Sequence, residues 1–141
     1  MQDPREALIR RLQRAVDAHD VGAVVDCFEP DYRNETPIHP GRGFHGRDQV
    51  RTNWMRLFAA VPDISARVLR TAVVDDAIWS EWEMSGTRND GQAHLMRGVI
   101  IFGVPREQVA WARFYLEPVE PDEGGVDAAI GHIVGESGAG S

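Results

Sequence analysis

Three turn signals, Asp75-Asp76, Asn89-Asp90-Gly91 and Val104-Pro105-Arg106-Glu107, divide the second half of the chain into four segments of about ten residues. The segments run approximately over 64–74, 77–87, 93–104 and 108–117. Connections this short exclude parallel crossovers, which need a dozen or more residues, so the four segments must pair as an antiparallel meander.

The first half has a helical period instead. Asp3-Pro4-Arg5-Glu6 reads as a helix start, with Asp3 as N-cap and Pro4 in the first turn. Leu8, Leu12, Ala15, Val16 and His19 then fall on one face. Asp20 can cap a short second helix carrying Val21, Val24, Val25 and Phe28, stopped by Pro30. Tyr32 to Thr36 reads as a short strand, followed by a loop dense in Pro and Gly from Pro37 to Gly46. A third helix follows, with Val50, Trp54, Leu57, Phe58 and Val61 at helical spacing, closed by Pro62. Helices first and a meander afterwards give an α+β fold with three N-terminal helices on a curved antiparallel sheet. Residues 1–118 form the domain; 119–141 are a Gly-rich, acidic tail, expected to be mobile, with one loose helical turn near Ala128–Val134.

With 141 residues the chain fits one domain and needs no staples to form a core. All 15 basic residues are Arg, against 22 acidic ones, for a formal charge of −7. The absence of Lys removes Schiff-base lysine chemistry and the phosphate-loop lysine. An acidic chain with its arginines spread out lacks a nucleic-acid footprint. Cys27 is the single cysteine, so no intrachain disulfide forms, and it reads as a buried thiol on a helical apolar face. The polar N-terminus lacks a signal-peptide pattern and no apolar run could span a bilayer, so the expectation is a cytoplasmic protein with no membrane partner.

Four stretches occur in a distinctive order: Gly43-Phe44-His45-Gly46-Arg47-Asp48, Val61-Pro62-Asp63, Glu81-Trp82-Glu83-Met84-Ser85-Gly86-Thr87 and Arg113-Phe114-Tyr115-Leu116-Glu117. In this order the chain resembles, over residues about 5 to 118, the SnoaL-like branch of the nuclear transport factor 2-like superfamily. The resemblance implies a cone-shaped α+β fold around a pocket, used by polyketide cyclases, ketosteroid isomerases and limonene epoxide hydrolase. It does not carry one mechanism over. Leu12, Thr36 and Gly98 stand where ketosteroid isomerases have their tyrosine and two aspartates. Tyr32 and Asn34 match the water-positioning pair of the epoxide hydrolase, and Glu83 matches its acidic base. Glu81 replaces its arginine and Phe114 its last aspartate.

The same matching turns Glu81, Glu83 and Ser85 toward the pocket, with Trp79 near its rim, and on later strands His94, Met96 and Phe114. Hydrophobicity alone prefers Ile78, Trp82 and Met84 inside, and a one-residue slip exchanges the faces. The expectation is the face given by the matching. Glu81 and Glu83 would then lie about 7 Å apart on one face. Two carboxylates in an apolar pocket push one another's pKa upward, leaving one base and one acid, with His94 able to share the proton. The bland alternative is that both glutamates pair with arginines on a half-exposed sheet.

Tyr32 and Asn34 share a face and could hold a water or a substrate oxygen. His39 and His45 lie in the loop at the expected mouth; with Glu35 they match no standard metal spacing, so no metal and no cofactor is expected. Trp54 and Phe58 read as core residues whose tips line the pocket. The reading is a cofactor-independent enzyme of cyclase, isomerase or hydrolase type acting on an apolar, cyclic small molecule. Glu83 would be its base, Glu81 or His94 the acid, and Tyr32, Asn34, His39, Trp54, Phe58, Trp79, Met96 and Phe114 the binding residues. The competing reading is a protein that binds a small molecule without turning it over; an adaptor role is the weakest. The outward face, expected to carry Ile78, Trp82, Met84, Leu95, Val99, Ile101, Trp111 and Tyr115, is apolar enough to imply a homodimer through the sheet.

Overall fold

The computed structural model describes residues 2–121 and 124–136. Helix α1 (Pro4–Asp17) starts where Asp3 Oδ1 accepts the Arg5 N–H at 2.8 Å, and it buries Leu8, Ile9, Leu12, Ala15 and Val16. Asp20 caps α2 (Val21–Asp26) through Ala23 N–H at 3.0 Å. The chain leaves α2 earlier than expected and enters β1 (Phe28–Glu35) at Phe28. Pro30 lies inside β1 rather than stopping a helix. The β1–β6 register shifts between Phe28 and Arg33, and a residue without an N–H is tolerated where a ladder is irregular. After β2 (Phe44–His45) comes α3 (Arg47–Ala60), lying against α2 and β1, while α1 packs on β3.

Strands β3 (Ser65–Val74), β4 (Ala77–Thr87), β5 (Ala93–Gly103) and β6 (Val109–Pro118) form the predicted meander. β1 joins β6 in parallel, giving one open six-stranded sheet in the order β2-β1-β6-β5-β4-β3. Gly98 has φ +151°, and a Cβ there would stand 2.0 Å from the Tyr115 carbonyl oxygen, so the β5–β6 contact requires glycine at this point.

The pairing is as expected, but β4 presents its other face to the helices. Ile78, Ser80, Trp82 and Met84 are buried, and Trp82 is 1% exposed. Glu81, Glu83 and Trp79 lie on the outer face. Glu81 pairs with Arg70 at 2.9 Å, and Glu83 with Arg67 at 3.2 Å and Arg97 at 2.8 Å. Trp79 is 48% exposed. Energetics explain the choice. Each fully buried large apolar side chain contributes about 1.5–3 kcal/mol, whereas an unpaired buried carboxylate costs far more. The inner face therefore takes Ile78, Trp82 and Met84, and arginines on β3 and β5 take the glutamates. Directly paired residues share a face, so Leu95, Val99, Ile101, Trp111 and Tyr115 do lie outward, with Arg97 and Arg113.

Beyond Pro118, helix α4 (Val126–Ile133) stands where a loose turn was expected, with Val126, Ile130 and Ile133 exposed. The tail expected to be mobile includes residues 122–123 and 137–141, which lie outside the described residues. Among the described residues, no helix is long and apolar enough to cross a membrane.

Candidate functional site

The inner face of the sheet, α3 and the loop after β1 enclose a cavity of about 290 Å³. Its walls are mostly apolar: Phe28, Phe44, Trp54, Met84, Met96, Phe114 and Leu116 among them. Polar groups enter at separate places.

One row comes from β1. Alternation puts Tyr32, Asn34 and Thr36 on the same side, and all three line the cavity. Tyr32 Oη donates to Asn34 Oδ1 at 2.7 Å, and Asn34 Nδ2 donates to Thr36 Oγ1 at 3.5 Å. Tyr32 is 1% and Asn34 8% exposed. Burial pushes the Tyr32 phenol well above its ordinary value, so its hydroxyl keeps its proton. The Asn34 amide has a second N–H to offer a ligand oxygen.

His94, opposite Gly86 in the ladder, brings an imidazole to the cavity from β5. Burial lowers its pKa below the ordinary 6.5, and the positive charge of Arg88 acts in the same direction. At neutral pH the ring is uncharged and able to accept a proton.

At the mouth, Glu117 lines the cavity and its Oε1 meets His39 Nε2 at 2.9 Å. Simple alternation would turn Glu117 outward with Tyr115. The last β1 partner of β6 is Arg113, opposite Glu35, so Glu117 sits on a free strand edge and reaches around to the loop.

The expected site residues therefore divide. Tyr32, Asn34, Trp54, His94, Met96 and Phe114 line one cavity. His39 is at its mouth through Glu117. Phe58 packs behind the wall, 5.4 Å from the Trp54 ring and stacked on His19 at 4.9 Å. Glu81, Glu83 and Trp79 lie across the sheet. The expectation of a pocket carboxylate with a raised pKa also reverses at Glu83. The hydrogen bond from Arg97 holds it below the usual carboxylate range against a smaller effect of burial, helped by the charges of Arg97 and Arg67. Glu117, Arg42 and Asn53 line the cavity without a sequence expectation that they would, and Met84, expected outward, lines it too. Only Met84 had a sequence signal, its place in the apolar alternation of β4.

Cys27 is fully buried, and burial raises its pKa against a hydrogen bond from Arg11, which keeps it a thiol. Among the described residues no three His, Cys, Asp or Glu side chains gather as a metal cluster.

The model of the SnoaL-like domain family matches residues 9–114. No curated protein matches the sequence. Among solved structures, a Mycobacterium tuberculosis protein in complex with estradiol-17beta-hemisuccinate superposes with a TM-score of 0.69 at 21% identity, covering 81% of this chain and 94% of its own. A Jannaschia sp. CCS1 protein described as a SnoaL-like polyketide cyclase gives a TM-score of 0.69 at 18% identity, covering 82% and 91%. An NTF2-like protein from Exiguobacterium sp. 255-15 gives 0.66 at 18% identity, covering 81% and 99%. At such identities these neighbours carry the fold, and it is the expected one. With the family model spanning most of its length, the chain belongs to the SnoaL-like domain family, in the nuclear transport factor 2-like fold.

Proposed function

We propose that the cavity binds an apolar, cyclic small molecule carrying an oxygen substituent, and that the protein acts on it by cofactor-independent acid–base chemistry of the cyclase or isomerase kind. The observation that carries this reading is the neutral imidazole of His94 in a mostly apolar cavity that also holds the Tyr32–Asn34 pair. Asn34 orients the ligand oxygen by its free N–H, and Tyr32 fixes the Asn34 amide. His94 takes a proton from a carbon or a water beside that oxygen. The steroid ester bound by the Mycobacterium tuberculosis neighbour supports a ligand of this size and character.

The outward placement of Glu81 and Glu83 favours a second reading, binding without turnover, because it takes from His94 the two carboxylates expected to share its proton. The two separate on one experiment. A panel of cyclic ketones, lactones and phenols is screened for a rise in melting temperature, and the hits are incubated with the protein and with His94→Gln. Conversion abolished by His94→Gln supports catalysis; binding with no conversion by either protein supports the second reading.

A homodimer through the outer sheet face belongs to the same proposal. Trp79, Val99 and Tyr115 supply its apolar part, in place of Ile78, Trp82 and Met84.

A further inference from the structure

Among the described residues the cavity lining includes one carboxylate, Glu117, and one guanidinium, Arg42, and the two are not paired with each other. Glu117 is engaged by His39 at 2.9 Å. Arg42 is the one arginine that lines the cavity, and among the described residues its side chain has neither an ion pair nor a hydrogen bond. Four other arginines are taken up by glutamates, Arg70 by Glu81, Arg67 and Arg97 by Glu83, and Arg106 by Glu29, and none of these lines the cavity.

Arg42 is also held in place. It ends a single helical turn, Pro40–Arg42, whose Arg42 N–H donates to the His39 carbonyl at 2.9 Å. The next residue, Gly43, packs so closely on β1 that a Cβ would stand 3.1 Å from the Asn34 carbonyl oxygen. The His39–Glu117 contact fixes the start of the turn. A guanidinium on a backbone this constrained loses less freedom when it engages a ligand. A further donor stands on the cavity wall. Gln49 Nε2 donates to Asn53 Oδ1 at 2.8 Å, so the Asn53 carbonyl is occupied and its amide hydrogens are available.

We infer that the ligand is an apolar ring system with a carboxylate at one end, and that Arg42 and Asn53 receive this carboxylate at the mouth while the rings enter the cavity. The inference rests on the reading of the cavity as a small-molecule site. Guanidinium–carboxylate pairing is charge-assisted and bidentate, and at the edge of an apolar cavity it is less weakened by water than on an open surface.

The test uses naphthylacetic acid and naphthylacetamide, of nearly one shape, as probes. Calorimetric titration of the full chain at neutral pH and low salt should show the acid binding at least about tenfold more tightly than the amide. Arg42→Gln should remove most of that preference, weakening the acid far more than the amide. Arg42→Lys should keep part of it, since the charge remains and the fork is lost. Equal affinities for the two probes, or an acid preference that survives Arg42→Gln, would overturn the role of Arg42 while the cavity reading stands. Failure of both probes to bind would overturn both.

Discussion

The indole nitrogen of Trp82 donates a 2.8 Å hydrogen bond to Ser80 Oγ, and the same hydroxyl donates at 2.7 Å to the carbonyl of Ile100 on the next strand. Two residues apart on β4, both on the inner face, they bury a large ring without leaving its N–H unsatisfied. This pair fixes which side of the sheet the helices cover, and so which side chains meet a ligand.

Trp82→Ala should therefore lower stability by about 3–5 kcal/mol, as expected for removing a core tryptophan. Ser80→Ala should lower it by about 1–3 kcal/mol, because it strands the buried indole N–H. Urea unfolding followed by circular dichroism measures both. Trp82→Glu should prevent folding, whereas an outward Trp82 would leave the monomer intact.

The meander, its three turns and the capped helix α1 were legible because turn chemistry and helical spacing act locally. Tyr32 and Asn34 were legible because a two-residue spacing puts them on one face. The face of β4 was not legible by matching to relatives, where a slip of one residue exchanges Glu83 for Trp82 or Met84. The apolar alternation of Ile78, Trp82 and Met84 carried the better signal. Glu117 and Arg42 were invisible for another reason. Each lies where strand alternation ends, at a free edge or in a loop, and only the folded chain brings them to the cavity.

Glu83→Gln should leave ligand affinity unchanged within about twofold, since the residue is paired with Arg67 and Arg97 across the sheet from the cavity. Calorimetric titration of any ligand found by screening checks this. A large loss of affinity, or of turnover, would return Glu83 to the site.

His94 makes stability depend on pH in one direction. Its folded pKa lies below the ordinary 6.5, so the unfolded chain binds the proton more readily. The contribution is fully present above about pH 6.5 and is lost as pH falls through the folded value. Urea unfolding at about pH 7.5 and about pH 5 should show a smaller pH-dependent loss for His94→Gln than for the parent protein. Equal losses would mean that His94 titrates alike in both states.

The outer face can be tested through Trp79, which is 48% exposed and flanked by Ile101 across the ladder. Sedimentation at micromolar concentration should give a dimer, and Trp79→Glu a folded monomer. A parent protein that sediments as a monomer would rule out this interface.

The central claim is that the ligand lies between β1 and the inner face of β4–β6. Methyl-labelled methionine NMR reads it directly, because Met84 and Met96 line the cavity and Met55 is exposed on α3. Titration with a ligand that raises the melting temperature should shift the Met84 and Met96 methyl resonances and leave Met55 in place. Binding that moves Met55 alone, or moves neither cavity methionine, would contradict the account.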